Sequence, residues 1–195
     1  MKLSKKYSEA LQYAADVHRG QYRKKTKIPY LSHLLGVSAI AMEYGGSEAE
    51  AIAALLHDAP EDRGGRAELD RIRATFGDEV AEIVKGCTDA FKKRPGDWKR
   101  RKKRYITRLK KESASVCLVS ASDKLYNARS ILKDYRKLGE RLWKRFNGNR
   151  RDELWYYRGL IDAFDATGFH RDLIAEIDRV VSEIERLAAS SFDGR

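Results

Sequence analysis

The sequence predicts an all-α protein. Only 3 prolines interrupt the 195 residues, and no segment shows the long β-branched alternation that is typical of strands. Apolar residues instead recur every three or four positions through most of the chain, which places them on one face of a helix. The length is ordinary for one folding unit, so we expect residues 1–195 to form a single domain.

Capping and glycine signals delimit the first three predicted helices. One runs from about Ser4 to His18, and a second ends at the Gly45-Gly46 pair. Ser47 and Glu50 have the capping-box spacing that starts a third helix. This third helix leads directly into the dipeptide His57-Asp58.

The third helix is expected to stop just after that dipeptide. Pro60 disfavours helical geometry at the preceding residue, Ala59, because its ring crowds that backbone. We therefore expect Glu61 and Asp62 to lie in a turn just beyond the helix end, near His57-Asp58.

The same helical spacing continues through the rest of the chain. It predicts helices at about Leu69–Phe76, Asp78–Lys85, Asp97–Lys111, Ser115–Leu132, Leu138–Phe146, Asp152–Asp165 and Arg171–Ala188. Two longer loops, Gly20–Pro29 and Asp89–Gly96, are rich in Lys and Arg, so we expect binding contacts there.

Two histidines and two aspartates form an H…HD…D set: His33, His57, Asp58 and Asp123. Each residue alone has an ordinary structural explanation. Four acid or imidazole residues flanked by apolar helices are harder to explain without a metal, because buried charges are rare unless paired or metal-bound. The mixed nitrogen and oxygen set suits Mn, Fe, Co or Zn and leaves positions open for water and a substrate oxygen. The pattern therefore predicts a catalytic metal site.

Composition adds three expectations. A formal net charge of +11 attracts anions, which include phosphorylated metabolites, nucleic acids and acidic lipid surfaces. No stretch has the apolar length of a signal sequence or a membrane span, so we expect a cytoplasmic protein that does not bind a membrane. Cys87 and Cys117 are expected to be reduced core thiols.

The sequence has two further histidines. We expect a structural or supporting role for His18 and a surface position for His170.

Twelve Lys or Arg lie between Lys92 and Lys111, a density that indicates nucleic-acid binding. However, Trp98, Tyr105, Ile106 and Leu109 fit one buried helical stripe, which favours a solvated basic face. A third interpretation is that the end of this segment near the pocket supplies cations to the phosphates of a small nucleotide. The later aromatic residues are expected in the core or between helices rather than against a base: Trp143, Phe146, Trp155, Tyr156 and Tyr157.

An ordered series of short motifs resembles the hydrolase domain of the RelA/SpoT homologue superfamily, and within it the small alarmone hydrolases. The motifs are Gly20–Lys24, Pro29–His33, His57–Asp62, Phe76-Gly77, Thr88-Asp89 and Ser122–Arg129. The similarity runs in order from about Leu11 to Arg129, whereas the helices of residues 131–195 are only loosely similar.

The resemblance implies a compact multi-helix HD-domain fold and a Mn-dependent enzyme, with other divalent transition metals also compatible. Such an enzyme removes pyrophosphate from the 3′ position of the alarmones ppGpp and pppGpp. The matching metal ligands are His33, His57, Asp58 and Asp123, and the acidic pair that positions and deprotonates the attacking water is Glu61 and Asp62. The matching substrate residues are Arg23 and Lys24 against the purine, and Tyr126, Asn127 and Arg129 along the ribose and phosphates.

The chain departs from the family pattern in two places. The loop Lys25–Ile28 is more basic and longer than the usual turn, and Ser130 stands where long members often have a threonine. The chain is too short to include a synthetase domain, so the expected activity is degradative.

Three alternatives to alarmone hydrolysis stay open on the sequence. The substrate could be another phosphorylated nucleotide, such as NADPH, an adenosine alarmone or a 5′-nucleotide. It could be a phosphorylated RNA end recruited by the basic segment. The protein could also be a non-catalytic regulator that binds alarmone or nucleic acid.

Overall fold

The structure, a computed structural model, describes residues 2–91 and 96–190. Its regular elements are helical, as the sequence predicts. The α-helices are α1 (Lys5–Val17), α2 (Leu31–Glu43), α3 (Glu48–Leu56), α4 (Gly65–Phe76), α5 (Asp78–Cys87), α6 (Trp98–Leu109), α7 (Ala114–Leu138), α8 (Arg150–Asp165) and α9 (Arg171–Ser190). A π-helical turn, Pro60–Gly64, precedes α4, and a 3-10 segment, Gly139–Arg145, follows α7.

Helix α3 lies at the centre of the N-terminal packing, in contact with α1, α2, α5 and α7. Residues 51–56 of this helix are each at most 1% exposed. Three of them are alanines, whose small side chains allow neighbouring helices to approach from several sides. Neighbouring helices therefore hold this short helix in place, and they also fix the position of His57, which follows its last residue.

Helix α7 connects this N-terminal packing to the C-terminal helices. It packs against α2, α3 and α5 and also contacts α9. Helix α9 buries one apolar stripe that includes Leu173, Ile177, Val181 and Ile184. Helix α8 packs between α6 and α9, so the C-terminal helices are joined to the core through both α6 and α7.

The predicted cap of α3 is confirmed. Ser47 accepts a hydrogen bond from the backbone N–H of Glu50, and the Glu50 carboxylate accepts one from the backbone N–H of Ser47. The preceding Gly45 has a φ of +84°, a conformation that glycine adopts without strain.

The expectation that Pro60 ends helical geometry at Ala59 is wrong. Ala59 has φ −57° and ψ −44°, and the backbone N–H of Asp62 donates to the carbonyl of Asp58. Proline is tolerated here because the first position of a helical turn needs no N–H donor. The chain therefore continues as a π turn that carries Glu61 back toward the end of α3.

Other predicted boundaries also differ from the structure, and α4 begins at Gly65 instead of at about Leu69. Helix α7 continues to Leu138 instead of ending at Leu132, because its buried stripe extends through Ile131 and Tyr135. Gly139, with a φ of +55°, then ends the helix, so the predicted helix at Leu138–Phe146 is a 3-10 segment.

Cys87 and Cys117 are free thiols, as predicted. Within residues 2–91 and 96–190, no helix combines the length and the apolar character that a membrane crossing requires.

Helices α2 and α7 cross closely at Gly36. A Cβ atom on this glycine would lie 2.1 Å from Cε2 of Tyr126, whose ring also packs against His33 with 5.0 Å between ring centroids. We expect Gly36→Ala to lower the free energy of unfolding by about 1–3 kcal/mol through overpacking, even though alanine favours a helix. Denaturant titration of the purified variant measures this change.

The matched test is the double variant Gly36→Ala/Tyr126→Leu. The smaller side chain on α7 removes the clash, so this variant should unfold closer to wild type than Gly36→Ala with Tyr126 intact. A Gly36→Ala protein as stable as wild type would show that the crossing is looser than described.

Candidate active site

Three helices bring the four predicted metal ligands to one point. His33 lies in the first turn of α2, His57 and Asp58 follow the last residue of α3, and Asp123 lies near the middle of α7. The contacts of α2 and α3 with each other and with α7 place these side chains together at the core. Both imidazoles and Asp123 are buried, and Asp58 is partly buried.

His33, His57 and Asp58 each place one possible ligand atom within 4.8 Å of the other two, as a shared cation requires, and Asp123 lies beside this trio. His33 Nε2 lies 3.4 Å from Asp58 Oδ2 and 3.3 Å from Asp123 Oδ1. His57 Nε2 lies 3.2 Å and 3.8 Å from the same two oxygens. Ligands at about 2.0–2.2 Å from one divalent ion are separated by roughly 3–3.6 Å. His57 Nε2 is also buried and makes no hydrogen bond to any described residue. A nitrogen in this situation is available to bind a metal.

Neighbouring groups orient these ligands. The Nδ1 of His57 is 2.8 Å from the carbonyl oxygen of Ala54, and donation to that oxygen leaves Nε2 with its lone pair for coordination. Tyr30 donates its hydroxyl proton to Asp58 Oδ2 at 2.6 Å. Asn127 donates to Asp123 Oδ1 at 2.5 Å, and Lys124 pairs with the other oxygen of the same carboxylate.

The charges around the cluster keep both carboxylates ionised. Burial raises the pKa of Asp123, but Lys124 and the two imidazoles outweigh this effect and hold that pKa far below its usual range. The pKa of Asp58 is also held low, because His57 and His33 outweigh burial. Burial lowers the pKa of His33, which favours its neutral imidazole. Burial also acts to lower the pKa of His57, but Asp58 and Asp123 outweigh it and raise that pKa well above its usual value. The two carboxylates therefore attract positive charge to this point, which a protonated imidazole or a cation supplies.

Two adjoining cavities open from this cluster. The smaller one has a volume of about 170 Å³ and is lined by the four ligands and by Glu61, Asp89 and Lys102, among others. The larger one has a volume of about 430 Å³, a size typical of small-molecule sites. Both cavities share the residues Tyr30, Lys102, Lys124, Asn127 and Tyr156. A ligand can therefore extend from the four-residue cluster into the larger cavity.

The π turn points the two predicted acidic residues in different directions. Glu61 lines the smaller cavity, and its Oε1 accepts a hydrogen bond from the backbone N–H of Asp89 at 2.5 Å. Asp62 is exposed, and its Oδ2 accepts a hydrogen bond from Gln21 Nε2 at 2.8 Å. Gln21 in turn contacts the buried His18, whose ring stacks on Tyr30.

Four of the predicted substrate residues line the larger cavity. Arg23 donates to Asn127 Oδ1 at 2.6 Å, and its guanidinium lies 5.7 Å from the ring centroids of both Tyr30 and Tyr126. Lys24 donates to Asn147 Oδ1 at 3.1 Å on the same wall. These residues come from the loop after α1 and from α7, so the loop closes over the cavity beside the metal ligands.

The HD-domain family model matches residues 10–153, about three quarters of the chain, and this match includes every predicted ligand. The chain belongs to the HD-domain family. It is a phosphohydrolase of the HD type, a class that works with a divalent metal.

Curated relatives place the chain near the RelA/SpoT hydrolases, as its motifs suggest. It is 38% identical over 131 residues to the guanosine-3′,5′-bis(diphosphate) 3′-pyrophosphohydrolase MESH1 of Xenopus tropicalis, a match covering 63% of this chain and 68% of the relative. The MESH1 protein of Drosophila melanogaster is 35% identical over 131 residues, covering 66% and 70%. A solved structure described as a metazoan ortholog of SpoT that hydrolyses ppGpp aligns with a TM-score of 0.76 and 28% identity, covering 94% of this chain and 97% of that one.

The cluster of His33, His57, Asp58 and Asp123 and its two cavities are called the HD site below. Arg129 lies away from this site, in contrast to the position that the motif implies. It is exposed, its guanidinium lies 3.2 Å from Glu176 of α9, and it lines neither of the two cavities. The next residue, Ser130, lines the larger cavity instead.

The basic segment contributes only part of its charge to the HD site. Its residues 92–95 lie outside the described residues. In α6, Arg101 and Lys102 hold Asp89, with nitrogen to Oδ2 distances of 2.5 Å and 3.0 Å, and Lys102 lines both cavities. Lys103 and Arg104 are exposed on the other face of the helix. Tyr105 and Leu109 are buried and Ile106 is partly buried, in agreement with the predicted stripe.

Aromatic residues that the sequence assigns to packing also form a wall of the HD site. Tyr156 and Tyr157 are buried and line the larger cavity, together with Phe146 and Trp98. The sequence interpretation missed this role. It also gave no individual role to Tyr30 and Asp89, which lie within the family-like motifs, or to Lys102 of the basic segment. Tyr30 had a usable signal, because it precedes His33 by three residues and therefore shares its helix face.

Proposed function

We propose that this protein hydrolyses ppGpp and pppGpp with Mn²⁺ at the HD site, releasing pyrophosphate from the 3′ position. The observation that carries the proposal is the four-ligand cluster on the wall of a small cavity that opens into a larger, cation-lined one. The relatives named as guanosine-3′,5′-bis(diphosphate) 3′-pyrophosphohydrolases support the same substrate.

The charge of the cavities suits a nucleotide with two diphosphates. Lys102 and Lys124 lie at the junction of the two cavities, next to the ligand cluster. Arg23, Lys24 and Arg145 line the larger cavity farther along. Cations in a confined, partly dehydrated site neutralise phosphate charge more effectively than they would in bulk water.

The residues His33, His57, Asp58 and Asp123 would hold the Mn²⁺, since a mixed imidazole and carboxylate set suits this ion. The chemistry that such a cation supplies is Lewis acidity, which acidifies water and neutralises charge on a phosphoryl oxygen. The four side chains need little rearrangement to bind the ion, because hydrogen bonds to Ala54, Tyr30 and Asn127 already orient three of them.

Glu61 accepts the proton of the attacking water in this proposal. Its carboxylate lies in the smaller cavity and is held by the backbone N–H of Asp89, so its position is fixed before substrate binds. The water oxygen forms a bond to the phosphorus attached to O3′ while the bond between O3′ and that phosphorus breaks. Pyrophosphate leaves, and O3′ takes up a proton to become a hydroxyl. Asp62, held by Gln21, helps to position the water from the rim.

The nucleoside occupies the larger cavity. Arg23 and Lys24 pack against the purine, and Tyr126 and Asn127 contact the ribose and adjacent phosphate, whereas Arg129 is assigned no contact because it faces α9. Helix α8 and the 3-10 segment also contribute residues to the lining of this cavity. We infer that the C-terminal helices belong to the same domain as the HD core.

A substrate panel tests the proposal. The purified protein loaded with Mn²⁺, Mg²⁺ or Zn²⁺ is assayed for phosphate or pyrophosphate release from ppGpp, an adenosine alarmone, NADPH, a 5′-nucleotide and a 5′-phosphorylated RNA. We expect the highest kcat/KM for ppGpp with Mn²⁺. A higher kcat/KM for another compound would assign the site to that substrate, and alarmone binding without turnover would favour a regulatory protein.

A further inference from the structure

A buried carboxyl group stands on the wall of the larger cavity and has no part in the chemistry above. Glu153 is the fourth residue of α8, is 7% exposed, and lines the larger cavity but not the smaller one. It is the last residue of the HD-domain match and follows the ordered motifs that end at Arg129. The backbone N–H of Gly148 lies near its carboxylate and favours the ionised form.

Aromatic rings flank this carboxylate. Tyr156 follows Glu153 by three residues and therefore lies on the same face of α8. The Trp98 ring packs edge-on against Tyr156, with 6.1 Å between centroids. A Cβ placed on Gly148 would lie 3.2 Å from both Glu153 Oε1 and the Trp98 ring, so the carboxylate and the indole are close neighbours. An acidic group among flat rings is a setting that can hold the edge and the face of a base.

The charge of Glu153 is not balanced by a direct ion pair. Among the residues that the structure describes, no Lys or Arg nitrogen lies within 4.0 Å of its carboxylate oxygens. Burial raises the pKa of Glu153 to about 7, although the Gly148 N–H and the more distant Lys102 and Lys24 act in the opposite direction. A ligand that brings hydrogen-bond donors to this carboxylate would therefore stabilise its ionised form.

We propose that Glu153 recognises guanine by accepting hydrogen bonds from its ring N1–H and its 2-amino group. This inference rests on the proposed function, because it takes the nucleoside to lie in the larger cavity. Guanine presents these two donors side by side, which matches the two oxygens of a carboxylate. Adenine presents an unprotonated ring N1 at the equivalent position, so one carboxylate oxygen would face a lone pair instead of a donor from the base.

The cavity walls agree with this assignment. Lys24, which packs on the purine in the proposed function, acts on the charge of Glu153 and bonds to Asn147, next to Gly148. Lys102 connects the same region to the ligand cluster, because it lines both cavities and lies 4.7 Å from the Tyr156 ring centroid. A nucleotide placed along this path would have its phosphates at the metal ligands and its base edge at Glu153.

Binding of nucleoside diphosphates tests this inference without requiring turnover. The Kd values of GDP, IDP and ADP are measured by calorimetry on metal-loaded wild type and on Glu153→Gln, which keeps the size and an acceptor for Gly148. For wild type we expect GDP to bind more tightly than IDP, which lacks the 2-amino group, and IDP more tightly than ADP. Glu153→Gln should weaken GDP binding by about 10- to 100-fold and change ADP binding by less than about threefold.

Two further variants separate recognition from damage to the fold. Asp162→Asn removes a carboxylate from the exposed face of the same helix and should leave all three Kd values unchanged. Glu153→Asp keeps the charge and should retain a preference for GDP over ADP. Equal weakening of GDP and ADP in Glu153→Gln, or a wild type that does not distinguish them, would overturn the inference.

The failure of this inference and the failure of the proposed activity give different results. Loss of GDP preference in Glu153→Gln together with no hydrolysis of ppGpp by wild type would support base recognition and reject the alarmone substrate. Hydrolysis of ppGpp with unchanged base preference in Glu153→Gln would support the activity and reject this role for Glu153.

Discussion

Replacement of His57 by alanine is expected to reduce kcat for ppGpp by at least about a thousandfold, an increase of roughly 4 kcal/mol in the activation barrier. The imidazole supplies one of four converging ligand atoms, and its Nε2 lies 3.2 Å from Asp58 Oδ2. The variant should also lose bound metal, because the remaining three ligands leave the ion more exposed to solvent. Steady-state kinetics together with the metal content of the purified protein measure both effects.

His170→Ala is the matched control for that experiment. His170 Nε2 lies 2.9 Å from the carbonyl oxygen of Ala114, and His170 lines neither cavity of the HD site. Its removal should leave kcat and metal content within about twofold of wild type, as expected for a substitution outside the site. Full activity in His57→Ala would reject the metal centre, and an equal loss in both variants would indicate damage to the fold.

Replacement of Glu61 by glutamine is expected to lower kcat by about 100- to 10,000-fold while leaving KM and bound metal nearly unchanged. The amide keeps an oxygen to accept the backbone N–H of Asp89, so the side chain can stay in place. It cannot accept the proton of the attacking water at neutral pH. Kinetics at saturating ppGpp and metal analysis distinguish this loss of a base from loss of the metal.

Two carboxylate variants provide the comparison. Asp62→Asn should lower kcat by a smaller factor than Glu61→Gln, because Asp62 is exposed and does not line the smaller cavity. Glu79→Gln, on the exposed face of α5, should have no effect on kcat. A larger loss in Asp62→Asn than in Glu61→Gln would exchange the roles of the two acids.

Local signals explain why most helices could be predicted from the sequence. The reciprocal bonds of Ser47 and Glu50 depend only on residues three positions apart, so their spacing identifies the start of α3. Pro60 was misleading because a proline that disfavours helix before it can also begin a helical turn. The end of α7 depends on Tyr135 being buried by other helices, and sequence spacing alone does not specify those neighbours.

The convergence of His33, His57, Asp58 and Asp123 could be predicted because imidazole and carboxylate groups between apolar helices are chemically distinctive. The rest of the site depends on helix rotation and on packing between distant segments. At about 100° per residue, Asn127 and Ser130 lie on the same face of α7 as Asp123, whereas Arg129 is turned toward α9. One sequence feature indicates that Glu153 is buried. It occupies a position in the apolar stripe of α8 that continues through Tyr156, Leu160 and Phe164.

The origin of the ligands on three separate helices has a further consequence. Residues 33, 57 and 123 are far apart in the chain, so a cation held by all of them ties α2, α3 and α7 together at the core. An ion that binds only the native state stabilises it in proportion to the logarithm of the free ion concentration above the Kd. The supply of metal to the cell would then govern how long each molecule survives unfolding and proteolysis, in addition to how fast it turns over.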